Sequence, residues 1–173
     1  ETLFSGVNNA ASKSYIVNCT VASNSSGYMF TYFSKPDYPI TVENTLFYGN
    51  SYQDISHHPN NAVAEAFKFS HCAYRRSSIA NDVLKKSYSE DGTLYQFGTD
   101  WEDDPKFMES KDAAHPYSLK RNSPLIAKGA YADWMAGATD IRGEGFARSA
   151  GGSVDIGCYQ CWLVPPGLKL SIR

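Results

Sequence analysis

The 173-residue chain contains no apolar run near the roughly 18 residues that suggest a membrane helix, so no membrane span is expected. It also lacks a positive charge excess, since 16 Lys and Arg against 18 Asp and Glu give a formal net charge of −2. Phosphate contacts dominate nucleic-acid affinity, and a chain without a basic field is not expected to make them. Helix signals are scarce: residues 61–67 and 79–86 carry the best of them, and both are too short to be stable alone. The start, Glu1-Thr2-Leu3-Phe4, has neither an initiator Met nor a signal peptide, so the chain reads as a fragment or a processed product.

What remains is a β-rich chain of a length suited to one domain. Twelve Tyr and 9 Phe sit in short runs separated by Gly, Asn, Ser and Pro, which is the pattern of an all-β fold. The runs repeat. Val17-Asn18-Cys19-Thr20-Val21 is followed by Asn24, Glu43-Asn44-Thr45-Leu46-Phe47 is followed by Asn50, and Ser70-His71-Cys72-Ala73-Tyr74 forms a third copy. The first two copies superpose at an offset of 26 and the third follows at 27. One supersecondary unit per repeat, made of short strands and polar turns, points to a β-solenoid.

Alternation along the strands places Cys19 with Val21, Thr45 with Phe47 and Cys72 with Tyr74 on one face, stacked in successive turns as the interior. Asn18 and Asn44 fall at equivalent corners, where Asn tolerates left-handed backbone and its amide can bond the neighbouring turn. Residues 1–92 are read as solenoid turns and 93–173 as a loop-rich C-terminal cap of the same domain. An exposed sheet edge pairs readily with another chain, so the N-terminal edge is expected to meet upstream turns or a neighbouring protein.

The C-terminal third carries a family resemblance. Asp104-Pro105-Lys106-Phe107, then Pro116-Tyr117-Ser118-Leu119 through Ser123-Pro124-Leu125-Ile126-Ala127-Lys128-Gly129, then Val154-Asp155-Ile156-Gly157-Cys158-Tyr159 resemble the ending of secreted right-handed parallel β-helix proteins. The ordered set is similar to the choice-of-anchor Q domain of bacterial surface proteins, which often follows pectate-lyase-like repeats. Cys158 and Gln160 stand where that pattern usually has Ala and Glu, and Thr139-Asp140-Ile141-Arg142-Gly143 through Arg148 is an extended form of its Asp/Gly/Arg turn. The resemblance implies a right-handed parallel β-helix, an extracellular or bacterial cell-surface location, and a possible polysaccharide partner.

Residues 154, 156 and 158 alternate as a closing strand would, with Asp155 facing the other way and meeting Arg142 or Arg148 as a structural clamp. Enzymes that cleave acidic polysaccharides by β-elimination need a base and a neutraliser of the uronate carboxylate. The basic residues near the turns are Lys68, Arg75 and Arg76, with His57, His58 and His71 nearby; none sits in a recognisable lyase motif, and solvated charge is the expectation. Asp100, Glu102, Asp103 and Asp104 offer oxygen ligands for Ca²⁺ without the spacing of an EF-hand, so an acidic turn is expected instead. No metal or cofactor is assigned. Cys19 and Cys72 lie two strand spacings apart, roughly 9 to 10 Å, which exceeds the reach of a disulfide. Cys158 and Cys161 form either a local disulfide or a reduced pair.

The leading expectation is a non-catalytic C-terminal segment of a secreted or cell-surface β-helix protein that faces carbohydrate. The alternatives are part of a polysaccharide lyase or hydrolase with its active site upstream, and an adhesin or filament subunit that assembles through β-helix edges.

Overall fold

A computed structural model describes residues 2–6, 14–25, 28–32, 40–50, 67–75, 95–97, 104–108 and 114–161. Among the described residues the fold is all-β, with nine short strands and one short 3-10 turn at Asp133–Met135. The strands are β1 (Thr2–Gly6), β2 (Tyr15–Val17), β3 (Thr20–Ala22), β4 (Tyr28–Tyr32), β5 (Ile40–Glu43), β6 (Leu46–Tyr48), β7 (Phe67–Ser70), β8 (Ala73–Arg75) and β9 (Tyr95–Phe97). The two segments expected to carry helix signals, 61–67 and 79–86, lie almost wholly outside the described residues.

Three sheets form, ordered β1-β4, β2-β5-β7 and β3-β6-β8-β9, and every strand pair is parallel. The register follows the sequence repeat. Thr2 pairs with Tyr28, Tyr15 with Thr41 and Thr20 with Leu46, the offset of 26 shared by all three sheets. The next step pairs Ile40 with Phe67 and Leu46 with Ala73, one residue longer. β9 then adds to β8 with Ala73 opposite Tyr95.

The strand breaks recur with the same geometry. Asn18, Asn44 and His71 separate β2 from β3, β5 from β6 and β7 from β8, and they hold φ of 53°, 50° and 49°. Asn is favoured in this left-handed region because its short amide can bond locally, whereas most residues with a Cβ lose energy there. Beyond the first two corners one Asn pair, Asn24 and Asn50, bonds from one repeat to the next. Asn24 donates from its backbone and its side chain to Asn50 Oδ1 at 3.1 and 2.9 Å, and Asn50 Nδ2 donates to Val21 O at 3.0 Å.

Of the expected interior, Val21, Phe47, Cys72 and Tyr74 are buried while Cys19 is only half-buried, and Val42 and Phe69, which were not expected there, are buried as well. Phe47 and Phe69 meet edge to face, with centroids 6.2 Å apart. Thr45 is also fully buried and donates to Glu43 O at 2.9 Å, so its hydroxyl carries no desolvation debt. The other face is buried too. Leu46 and Ala73, whose side chains point away from Phe47 and Tyr74, pack in a second apolar cluster with Leu119, Leu125 and Ile156 from the C-terminal region.

Residues 154–159 do not form the expected closing strand. Val154 makes a single antiparallel bridge to Gly129, and residues 156–158 bend, with Gly157 at φ 108°. Gly157 lies outside the β region at that φ, in a tertiary contact so close that a Cβ on it would lie 2.9 Å from Thr20 Oγ1 of β3.

Candidate functional site

The C-terminal region is joined to the corner of the strand region by a row of hydrogen bonds. Ala130 N donates to Asn44 Oδ1 at 2.7 Å, Asn44 Nδ2 donates to Ala130 O at 2.9 Å, and Gly157 N donates to Asn44 O at 2.8 Å. Cys158 N donates to Thr20 Oγ1 at 3.1 Å and Arg148 Nη2 to Asn18 Oδ1 at 3.0 Å. The corner Asn44 therefore spends its amide on a distant segment, where a bond to the neighbouring turn was expected.

Arg148 is 2% exposed, and its Nη2 also donates to Asp155 O at 2.7 Å. Its Nε and Nη1 are buried without a hydrogen-bond partner among the described residues. Burial pulls the guanidinium pKa down, against the fields of Asp155 and Asp140. The expected Asp155 clamp takes a different form: Arg148 meets Asp155 at the backbone carbonyl, while the carboxylate accepts the amides of Ala127 at 2.8 Å and Cys161 at 2.5 Å. Burial pushes the Asp155 pKa up, and those two amides and Arg148 oppose it. Two backbone donors satisfy a buried carboxylate in a loop-rich segment that has amides to spare, so an arginine is not needed to hold it.

Arg142 pairs instead with Asp140. Its Nε donates to both Asp140 oxygens at 3.1 and 3.0 Å, and its Nη2 donates to Asp140 Oδ2 and, at 2.6 Å, to Gln160 O. The guanidinium lies 4.1 Å from the Phe146 ring centre and 5.6 Å from that of Tyr159. Burial alone would raise the Asp140 pKa, but the bonds from Arg142 and from the Gln160 and Arg142 amides outweigh it and hold the carboxyl below its usual range. Sequence reasoning placed Asp140 in the Asp/Gly/Arg turn but missed its pairing with Arg142. Its signal was an Asp two residues before an amide it can accept, the Asx turn that Arg142 N completes at 2.8 Å.

Around this braced arginine the surface opens into a cleft of about 310 Å³. His115, Lys120, Arg121 and Arg142 line it, with Leu119 and Tyr159 as an apolar floor. Lys120 and Arg121 are exposed, whereas Leu119 and Tyr159 are 5% and 8% exposed. Ser118, Gln160 and Cys161 add polar groups to a cleft whose cations are two exposed side chains and the Asp140-paired Arg142.

The other sequence candidates are dispersed. Lys68 is exposed on β7 and Arg75 ends β8, on the far side of the His71 corner; Arg76, His57 and His58 lie outside the described residues. The Ca²⁺ candidates Asp100, Glu102 and Asp103 also lie outside them. Asp104 is exposed and accepts the Lys106 amide at 2.7 Å, as an acidic turn does. No group of three or more His, Cys, Asp or Glu among the described residues could hold a metal ion. The four cysteines are free thiols, Cys72 buried and the others half-buried. Burial pushes the Cys72 thiol up to about 12 and also raises Cys158 and Cys161, the reverse of what a reactive thiol needs. No helix among the described residues is long and apolar enough to cross a membrane. Compared with known proteins, the chain matches no family profile, no curated protein and no solved structure.

Proposed function

We propose that the chain is the C-terminal part of a secreted or bacterial cell-surface protein built as a right-handed parallel β-helix, and that it faces carbohydrate without cleaving it. The observation that carries the coil is the common offset: three sheets repeat the same parallel pairing at 26 residues, with a left-handed corner at each repeat. Parallel strands joined by such crossovers are right-handed in nearly all proteins. The irregular segment of the choice-of-anchor Q type then lies along the turns as the cap. Binding of the full chain to immobilised pectate, alginate and a neutral glucan, read together with absorbance of a new double bond in solution, tests the function. Retention on an acidic polymer without double-bond formation supports the reading. Turnover abolished by Arg75→Ala or Arg76→Ala replaces it with a polysaccharide lyase.

One observation favours a second reading. Strands β1, β2 and β3 each have a single strand neighbour among the described residues, so each has one edge without a strand partner among them. Preceding turns, or a neighbouring chain in an adhesin or filament, would pair there. Sedimentation that grows with protein concentration supports the assembling form.

A further inference from the structure

Cys158 and Cys161 are close in sequence but sit in different surroundings. Cys161 lines the cleft, where burial acts on its thiol first and the charges of Asp155, Arg121 and Arg142 follow. Cys158 sits instead at the first corner of the strand region: its amide donates to Thr20 Oγ1 at 3.1 Å, and the Thr20 hydroxyl also bonds its sulfur. Thr20 follows Cys19 in the chain, and Asn18, which precedes it, accepts Arg148 Nη2 at 3.0 Å. Cys19 is therefore bracketed by two contacts with the C-terminal region, one of them made by Cys158 itself.

Both residues are half-buried. Cys19 lies between β2 and β3, after the left-handed Asn18, and its Sγ folds back to donate to Val17 O at 3.3 Å. Burial raises the Cys19 pKa most, and the Cys158 charge raises it next, ahead of the opposing Val17 bond; a like charge acts so only at short range. A link from Cys158 to Cys161 would work against a fixed backbone, since Gln160 N donates to Asp140 Oδ2 at 2.9 Å, Gln160 O accepts Arg142 Nη2 and Cys161 N donates to Asp155 Oδ2. We propose that Cys19 and Cys158 join in a disulfide that fastens the C-terminal region to the first strand repeat, closing a loop of about 140 residues. Cys158 stands where the resembled pattern usually has Ala, so the cross-link belongs to this chain and not to that pattern. It takes from the proposed function only the exported setting in which disulfides persist.

The oxidant is a small disulfide such as oxidised glutathione. The Cys158 thiolate attacks one of its sulfurs and expels one glutathione thiolate; the Cys19 thiolate then attacks the Cys158 sulfur of the mixed disulfide and expels the second. Two electrons pass from the cysteines to the donor, and the two protons they give up end on the two glutathiones. Burial raises both thiols in the folded chain, so the bond forms during folding, before the corner is covered. The test is to refold the full chain in reduced and oxidised glutathione, alkylate the remaining thiols and map linked peptides by mass spectrometry after chymotrypsin. Cleavage at Tyr159 separates Cys158 from Cys161. A peptide pair joining Cys19 to Cys158 is expected, kept in Cys161→Ser and lost in Cys158→Ser. The denaturation midpoint should fall on reduction of the parent chain and stay put in Cys19→Ser. Should the serine variants fail to fold, the map of the parent chain decides alone. A link between Cys158 and Cys161, a link through Cys72, or four alkylated thiols at every glutathione ratio overturns the proposal. None of these outcomes touches the carbohydrate-facing reading, which retention on immobilised polymers tests separately.

Discussion

The strand region of residues 14–75 and the irregular region of residues 104–161 solve the same problem by different means. In the first, parallel strands pair at offsets of 26 and then 27 residues, and left-handed corners separate one strand from the next. In the second, strand pairing is reduced to isolated bridges, and turn bonds between backbone groups are tied together by individually placed side chains such as Asp155, Asp140, Asn44 and Gln160. A ladder tolerates many side chains as long as the face pattern holds. A segment held by individually placed side chains depends on each of them.

The largest effect should come from the interior of the ladder. Phe47 is fully buried against Phe69, and Phe47→Ala should cost about 3–5 kcal/mol in denaturant unfolding, since a stacked interior cannot collapse onto the cavity. A loss under about 1 kcal/mol would mean that the strands do not enclose a core.

The junction between the regions comes next. Asn44→Ala removes both side-chain bonds to Ala130 and leaves an alanine at φ 50°, and about 2–3 kcal/mol is expected from an orphaned amide, an orphaned carbonyl and backbone strain. Asn18→Ala loses one bond to Arg148 from a half-buried position and should cost less. Equal losses at the two corners would show that the corner conformation, not the junction, sets the stability.

A smaller effect separates the carboxylates of the irregular region. A double-mutant cycle on Asp140 and Arg142 should give a coupling of about 1–2 kcal/mol, and the cycle on Asp155 and Arg142 less than half of that, because Asp155 is held by amides. The pH dependence follows with its sign. The folded-state pKa of Asp140 is lowered, so its contribution is present above about pH 4, the unfolded value, and is lost as pH falls through the folded value. Asp155 is raised and opposes this, its cost being relieved on acidification. The acid limb of a midpoint-against-pH curve should therefore be shallower in Asp140→Asn than in the parent chain.

The ladder was legible because its determinants repeat. Asn18, Asn44 and His71 recur at the offsets that the strands use, and the Val21, Phe47 and Tyr74 face is buried as alternation requires. Alternation could not show that Leu46 and Ala73 are buried as well, since their cover comes from Leu119, Leu125 and Ile156, far along the chain. It also misled at 154–159, where Gly157 leaves the β region in close contact with Thr20. The cleft was invisible for the same reason: Lys120 and Arg121 meet Arg142 only through tertiary packing, and neither segment carries a motif that announces the other.

The row of bonds from Arg148 and Cys158 to Asn18 and Thr20 joins residues 130 and 138 positions apart. A ribosome releases the corner long before it makes the segment that covers it, so the nascent chain carries the Leu46 and Ala73 surface uncovered through most of its synthesis. Loop-closure entropy must be met before such distant contacts reward it, and folding should be slow and completed from the C-terminal end. Truncation near residue 140 would strip Ile156 and the Arg148 and Cys158 bonds from the cover, giving an aggregation-prone product rather than a smaller stable protein.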